Sequence, residues 1–110
     1  MARSARRPTR DADAVFDALG DPTRRSIVKI LAGGPRPVGA IADALPVTRP
    51  AVSRHLAILR RAELVTARRD GTQHIFRLHP PGFAAARRWL DGFWDEALAR
   101  FAELAEGDGG

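Results

Sequence analysis

The run Ile41 to Val65, IADALPVTRPAVSRHLAILRRAELV, decides the reading of this chain, because it spells two short helices joined by a tight turn, the second carrying arginine. Ile41, Ala42 and Leu45 fall at helical spacing, Pro46 closes that helix, and Thr48 offers an N-cap hydroxyl ahead of a second periodic run. Pro50 sits in the first turn of that run, where a missing N–H costs little. At 100° per residue, Val52, Leu56 and Leu59 gather on one side of the wheel. Arg49, Pro50, Ser53, Arg54, Ala57 and Arg61 lie on the other.

The outward face has the chemistry that reading a DNA major groove requires. Arginine offers a bidentate fork to guanine O6 and N7, serine bonds a base edge or a phosphate, and Pro50 and Ala57 permit close approach and contact with thymine methyls. His55 sits at the edge of the packed face. It reads either as a partly buried packing residue or as a phosphate contact, and is carried here with the DNA-facing set. A solvated surface helix is the plain alternative for the segment taken alone.

Outward from this pair, Leu64 to Arg69 and His74 to Leu78 have strand character, with Asp70-Gly71 as the hairpin turn between them. Arg68, Arg69, Thr72 and Gln73 on that hairpin are placed to reach phosphates or a minor groove. Upstream, Val15, Phe16 and Leu19 mark a helix from Asp13 to Leu19 that Gly20 ends. Asp21 then caps a second helix, opened by Pro22 and running to Gly33-Gly34.

PTRRSIVKIL, IADAL, AVSRHLAILRRAELV and the basic hairpin RRDGTQHIFRL, in that order, resemble the ArsR family of winged helix-turn-helix transcriptional repressors over roughly residues 13 to 105. The resemblance implies a mainly α fold of about five helices plus a two-stranded wing, and a sequence-specific regulator of double-stranded DNA. By position, Thr48, Arg49, Pro50, Ser53, Arg54 and Ala57 match the family's base-facing sites. It also implies a homodimer joined through the first and last helices.

The last helix, read from Phe83 to about Ala105, supports that dimer independently. Trp89, Leu90, Phe93, Trp94, Ala97, Leu98, Phe101 and Leu104 spread over about 180° of its wheel, where one core-facing stripe needs little more than about 100°. An aromatic-rich excess of this kind marks a protein contact. With Val15, Phe16 and Leu19 of the first helix, these residues form the expected dimer interface. The alternative is that the wide arc closes over the domain's own core.

Composition fits one small domain. The chain has 110 residues, 45% of them hydrophobic, with Lys+Arg 18 against Asp+Glu 13 and a net charge of +5. Burial at this size is modest, so assembly is a natural supplement. Charge is also segregated. Arg49, Arg54, Arg60, Arg61, Arg68, Arg69 and Arg77 outnumber Glu63 and Asp70 in the reading module, whereas beyond Pro80 acids outnumber arginines. Expected boundaries are a disordered basic arm over 1–10, the DNA-binding and dimerisation domain over 11–105, and a disordered tail over 106–110.

Several classes are disfavoured. There is no cysteine, which removes disulfides and fits a cytoplasmic protein; the N-terminus has no apolar signal core, and no stretch is long enough to span a membrane. Thiolate metal sites of the family use a cysteine pair where this chain has VGAIADAL. Its other site needs histidines on the last helix, and none follows His79. No metal, no cofactor and no catalytic residue is expected, since Ser53 and His55 point about 200° apart on a helix. A repressor responsive to a metal or small ligand through a non-standard site, or a winged-helix module binding protein or RNA, remains as the alternative. Glu63 departs from the family pattern, standing where a glycine commonly ends the reading helix.

Overall fold

The computed structural model describes residues 8–109, and side-chain burial over residues 12–107. The element order is α1 (Pro8–Ala18), α2 (Pro22–Ala32), β1 (Arg36–Pro37), α3 (Val38–Asp43), α4 (Arg49–Arg61), β2 (Val65–Asp70), β3 (Gln73–Leu78), a 3-10 turn over Pro80–Phe83, and α5 (Ala84–Gly109). This is the expected five-helix, winged arrangement, with three local differences.

First, the wing is not a free two-stranded hairpin. β1 pairs antiparallel with β3, Arg36 opposite Phe76 and Pro37 opposite Ile75, giving a three-stranded sheet in the order β1-β3-β2. Two residues containing a proline carry no strand periodicity, and Pro37 has no N–H to give, so β1 is confined to an edge. Second, α3 stops at Asp43 with Ala44 as its C-cap, leaving Leu45 and Pro46 in the connection to α4. Leu45 still packs against the core, so its helical spacing reflects burial rather than helix. Third, the hairpin turn is Gly71-Thr72, one residue later than expected, because Asp70 pairs with Gln73 as the last rung of the ladder. Gly71 takes φ 67, which a two-residue turn demands at its first position.

Both outer boundaries also move. Residues 1–7 of the expected arm lie outside the described residues, and Pro8 to Arg10 belong to α1. Proline is favoured in a first turn, which explains an opening at Pro8. At the other end α5 runs to Gly109, through most of the expected tail, despite the low helix propensity of Gly107 and Asp108.

The core gathers one face from each helix. Val15 and Ala18 of α1, Ile27 and Leu31 of α2, Ile41 of α3, and Val52, Leu56 and Leu59 of α4 close on Leu64, Val65, Phe76 and Ala86. Helix ends are well made: Asp21 accepts the Arg24 N–H at 3.0 Å, and Thr48 Oγ1 accepts that of Ala51 at 3.2 Å.

The end of α4 accommodates the departure at Glu63. Its N–H donates to Arg60 O at 2.9 Å and that of Leu64 donates to Leu59 O at 3.0 Å, the paired bonds of a Schellman cap. Glu63 itself adopts the left-handed conformation, φ 63, that glycine normally supplies. Gly82 packs against this corner so closely that an added Cβ would lie 1.8 Å from the Glu63 carbonyl oxygen. The geometry leading into the wing is thus kept, at a local backbone cost.

Candidate nucleic-acid interface

The apolar seam of α4 is driven into the core by Val52, Leu56 and Leu59, and that fixes which residues look outward. Thr48, Arg49, Pro50, Ser53, Arg54, Ala57 and Arg61 are all exposed. Thr48 spends its oxygen lone pair on the cap but keeps its O–H free to donate.

A groove of about 520 Å³ opens between the start of α3, the start of α4 and the wing, bounded by Val38, Gly39, Asp43, Arg49, Arg69, Thr72, Gln73 and His74 among others. Arg49 lies over α3, its Nη2 3.3 Å from where a Cβ on Gly39 would be. Strand alternation explains the wing side. Val65, Ala67 and Arg69 share one face of β2, opposite Leu78, Phe76 and His74, so the face that enters the core at Val65 emerges at Arg69 and His74 above the groove. Arg68 faces the other way with Thr66 and Asp70.

The expected set is therefore divided. Arg49, Arg69, Thr72 and Gln73 meet around one groove, and Ser53, Arg54 and Ala57 continue along the exposed side of α4. Arg68 is exposed on the opposite wing face. Arg61 is about 18 Å along the helix from Arg49 at the usual rise. It borders a different cleft of about 340 Å³, shared with Ala14, Glu63, Gly82 and Arg88 on the α1 and α5 side. His74, left out of the expected set, lines the groove; moving the turn by one residue, which sets it opposite Arg69, is the signal that finds it.

His55 follows its packing reading and leaves the DNA-facing set. It is half-buried, and its Nδ1 lies 3.2 Å from Arg24 Nη1 and 3.9 Å from Asp21 Oδ2, so it is committed to α2 rather than held out with Arg54. The hydrogen bond from the Arg24 N–H, reinforced by the Arg24 charge, holds the Asp21 carboxyl below the usual aspartate range. No pattern along α4 announces this contact, because Arg24 is 31 residues upstream and Asp21 further still.

The second surface is apolar. Of the described α5 residues only Ala85 and Ala86 are buried, so the wide arc does not close over the core. Phe16 meets Trp89 edge-on at 5.6 Å between centroids, Trp89 stacks on Phe93 at 5.6 Å, and Trp94 meets Phe93 edge-on at 5.5 Å. Beyond this ladder Leu90, Leu98, Phe101 and Leu104 stand in the open, Phe101 at 69% exposure, with Ala97 half-buried between them. Val15 must be removed from the expected interface: at 2% exposure it belongs to the protomer's own core, as Leu19 in part does. Phe16, one residue on, takes the outward position.

Among the described residues, no three His, Asp or Glu side chains stand together as a metal-holding group, and no helix is long and apolar enough to cross a membrane.

Residues 21–67, spanning α2 to the first residues of β2, match the model of the bacterial regulatory protein, arsR family. The chain is 49% identical over 100 residues to the HTH-type transcriptional regulator Rv2034 of Mycobacterium tuberculosis, covering 91% of this chain and 94% of that one. It is 35% identical over 79 residues to the transcriptional repressor SdpR of Bacillus subtilis, covering 72% and 88%. The solution structure of the homodimeric winged helix-turn-helix DNA-binding domain Mb0332 of Mycobacterium bovis superposes with a TM-score of 0.62 at 34% identity, covering 82% and 83%.

Proposed function

The chain belongs to the ArsR family of DNA-binding transcriptional regulators, and from that membership we propose that it is a cytoplasmic, homodimeric repressor that reads a palindromic operator with α4 and its wing. The observation that carries the reading is the basic groove of Arg49 and Arg69 continued by Ser53 and Arg54 on the exposed face of α4.

In this reading the duplex lies across the groove. Arg49, Ser53 and Arg54 reach base edges in the major groove, Thr48, Pro50 and Ala57 allow close approach, and Arg69, Thr72, Gln73 and His74 hold the backbone beside them. Arg68 meets a phosphate only where the DNA wraps past the wing. The apolar face of Phe16 and α5 joins two protomers, and a two-fold axis then sets the two α4 helices about one DNA turn, roughly 34 Å, apart. The relatives are regulators, and the exposed arginines of α4 favour DNA over a protein-binding groove, which would want apolar residues there.

Occupancy is proposed to follow protein concentration rather than a metal, because the donor set is poor. The chain has no cysteine, and α5 carries carboxylates without histidine. A gel shift with DNA from upstream of the chain's own gene tests both points. A retarded complex at low salt that persists in EDTA and in added zinc is expected. No shift contradicts the DNA reading, and release by zinc contradicts metal independence.

A further inference from the structure

Arg24 is the side chain that the proposed function leaves without work, and it is the most heavily engaged one described. It stands in the first turn of α2, half-buried. Its Nε donates to Ala18 O at 2.6 Å and its Nη2 reaches Asp17 O at 3.5 Å, while Nη1 lies 3.2 Å from His55 Nδ1 on α4. Ala18 and Asp17 end α1, whose last turn has no cation of its own. Their carbonyls belong to the last turn of a helix, where a guanidinium is doubly favoured, and Asp17 O also accepts the Gly20 N–H at 3.2 Å. Arg25 completes the set by donating to Leu19 O at 2.7 Å.

Two features make this more than a helix cap. The planar fork fixes the directions of its donors, so a guanidinium anchored through Nε presents Nη1 to His55 from one angle only. Arginine has no acceptor, so in this contact Nη1 is the donor and His55 Nδ1 the acceptor. Among the described residues this is the one side-chain hydrogen bond that reaches α4 from another helix. The chain of contacts is continuous: Phe16, on the exposed apolar face against Trp89, shares the last turn of α1 with Asp17 and Ala18; Arg24 joins those to His55; and His55 adjoins Arg54.

We propose that Arg24 is the positioning residue of the reading helix, fixing the rotation of α4 relative to the dimer-side helix α1 through His55 and so the register of two α4 helices on one duplex. The proposal rests on α4 being the DNA reader. Packing of Val52, Leu56 and Leu59 holds α4 in place but, being non-directional, defines its rotation less sharply than a forked hydrogen bond.

A positioning role affects two helices held together more than one helix alone, and that separates it from a general effect on stability. The probes are a palindromic duplex recovered from a random-sequence pool by the wild-type chain, a duplex containing one half of it, and a scrambled duplex. Arg24→Gln and His55→Leu are each expected to weaken binding to the palindrome about tenfold, the scale of a charge-assisted hydrogen bond, and the double variant to weaken it no further. Binding to the half-site and the scrambled duplex is expected to change less than about twofold on the same reasoning. His55→Asn, whose Oδ1 replaces Nδ1 as acceptor, restores wild-type affinity. Variants are compared below their melting temperatures, read by circular dichroism. Equal losses on all three duplexes, additive losses in the double variant, or full affinity in both single variants would each overturn the proposal while leaving the wild-type chain a DNA reader. A wild-type chain that enriches no duplex from the pool removes both readings together.

Discussion

At the scale of single residues, exposure and partner decide role more than residue type does. Arg54 is exposed on the outward face of α4 and its side chain makes no hydrogen bond to the described residues, whereas Arg69 sits on a wing strand at the groove's far side. Arg54→Ala is expected to weaken binding by about 1–3 kcal/mol and to relax sequence preference. Arg69→Ala is expected to weaken binding evenly on operator and scrambled DNA, and to lower the salt slope by about one. Titration of both duplexes by fluorescence anisotropy separates the two; equal loss on both duplexes for Arg54→Ala refutes its assignment to base reading. Glu63 and Gly82 make a second residue-scale pair. Glu63→Gly relieves a left-handed non-glycine residue and is expected to stabilise the fold by about 0.5–1 kcal/mol, raising the melting temperature by several degrees. Gly82→Ala drives a methyl into the Glu63 carbonyl and is expected to destabilise by about 2 kcal/mol or more. Thermal denaturation reads both, and a Glu63→Gly variant no more stable than wild type contradicts the strain.

At the scale of elements, what could be read along the chain was what local physics controls. The N-caps at Asp21 and Thr48, the buried seam of α4 and the wing strands follow from capping, from a 3.6-residue period and from turn chemistry, all of which act over a few residues. What could not be read depends on partners far away in sequence. β1 exists only because Arg36 and Pro37 find β3, and His55 turns inward only because Arg24 waits for it. Of the groove, Arg49, Arg69, Thr72 and Gln73 were legible, while His74 was hidden by a turn placed one residue too early and Arg61 was included because a wheel shows a face but not how far along it a groove extends. The arc of α5 was also legible, since eight apolar residues on one helix exceed what so small a core can bury. Trp94→Glu or Phe101→Glu places a charge in the centre of the proposed interface and is expected to weaken dimerisation by about 2 kcal/mol or more. Analytical ultracentrifugation across a dilution series reads this. A wild-type chain that sediments as a monomer at every concentration contradicts the role given to α5.

At the scale of the whole molecule, the two surfaces have opposite chemistry and are joined through the core and the Arg24 link. In the proposed function the basic groove engages a polyanion in competition with salt, and the apolar ladder engages a second copy in avoidance of water. Neither is useful alone: one α4 helix reads too few bases to select a site, and a dimer without exposed arginines has nothing to read with. The central claim is therefore that two copies read one duplex. Its most direct measurement is the stoichiometry of the complex with a duplex enriched from a random pool, by sedimentation velocity at low and raised salt. Two chains per duplex are expected on a two-fold-symmetric sequence with half-sites about one turn apart, with affinity that falls steeply with salt. One chain per duplex, or enrichment of no common sequence at low salt, would contradict it.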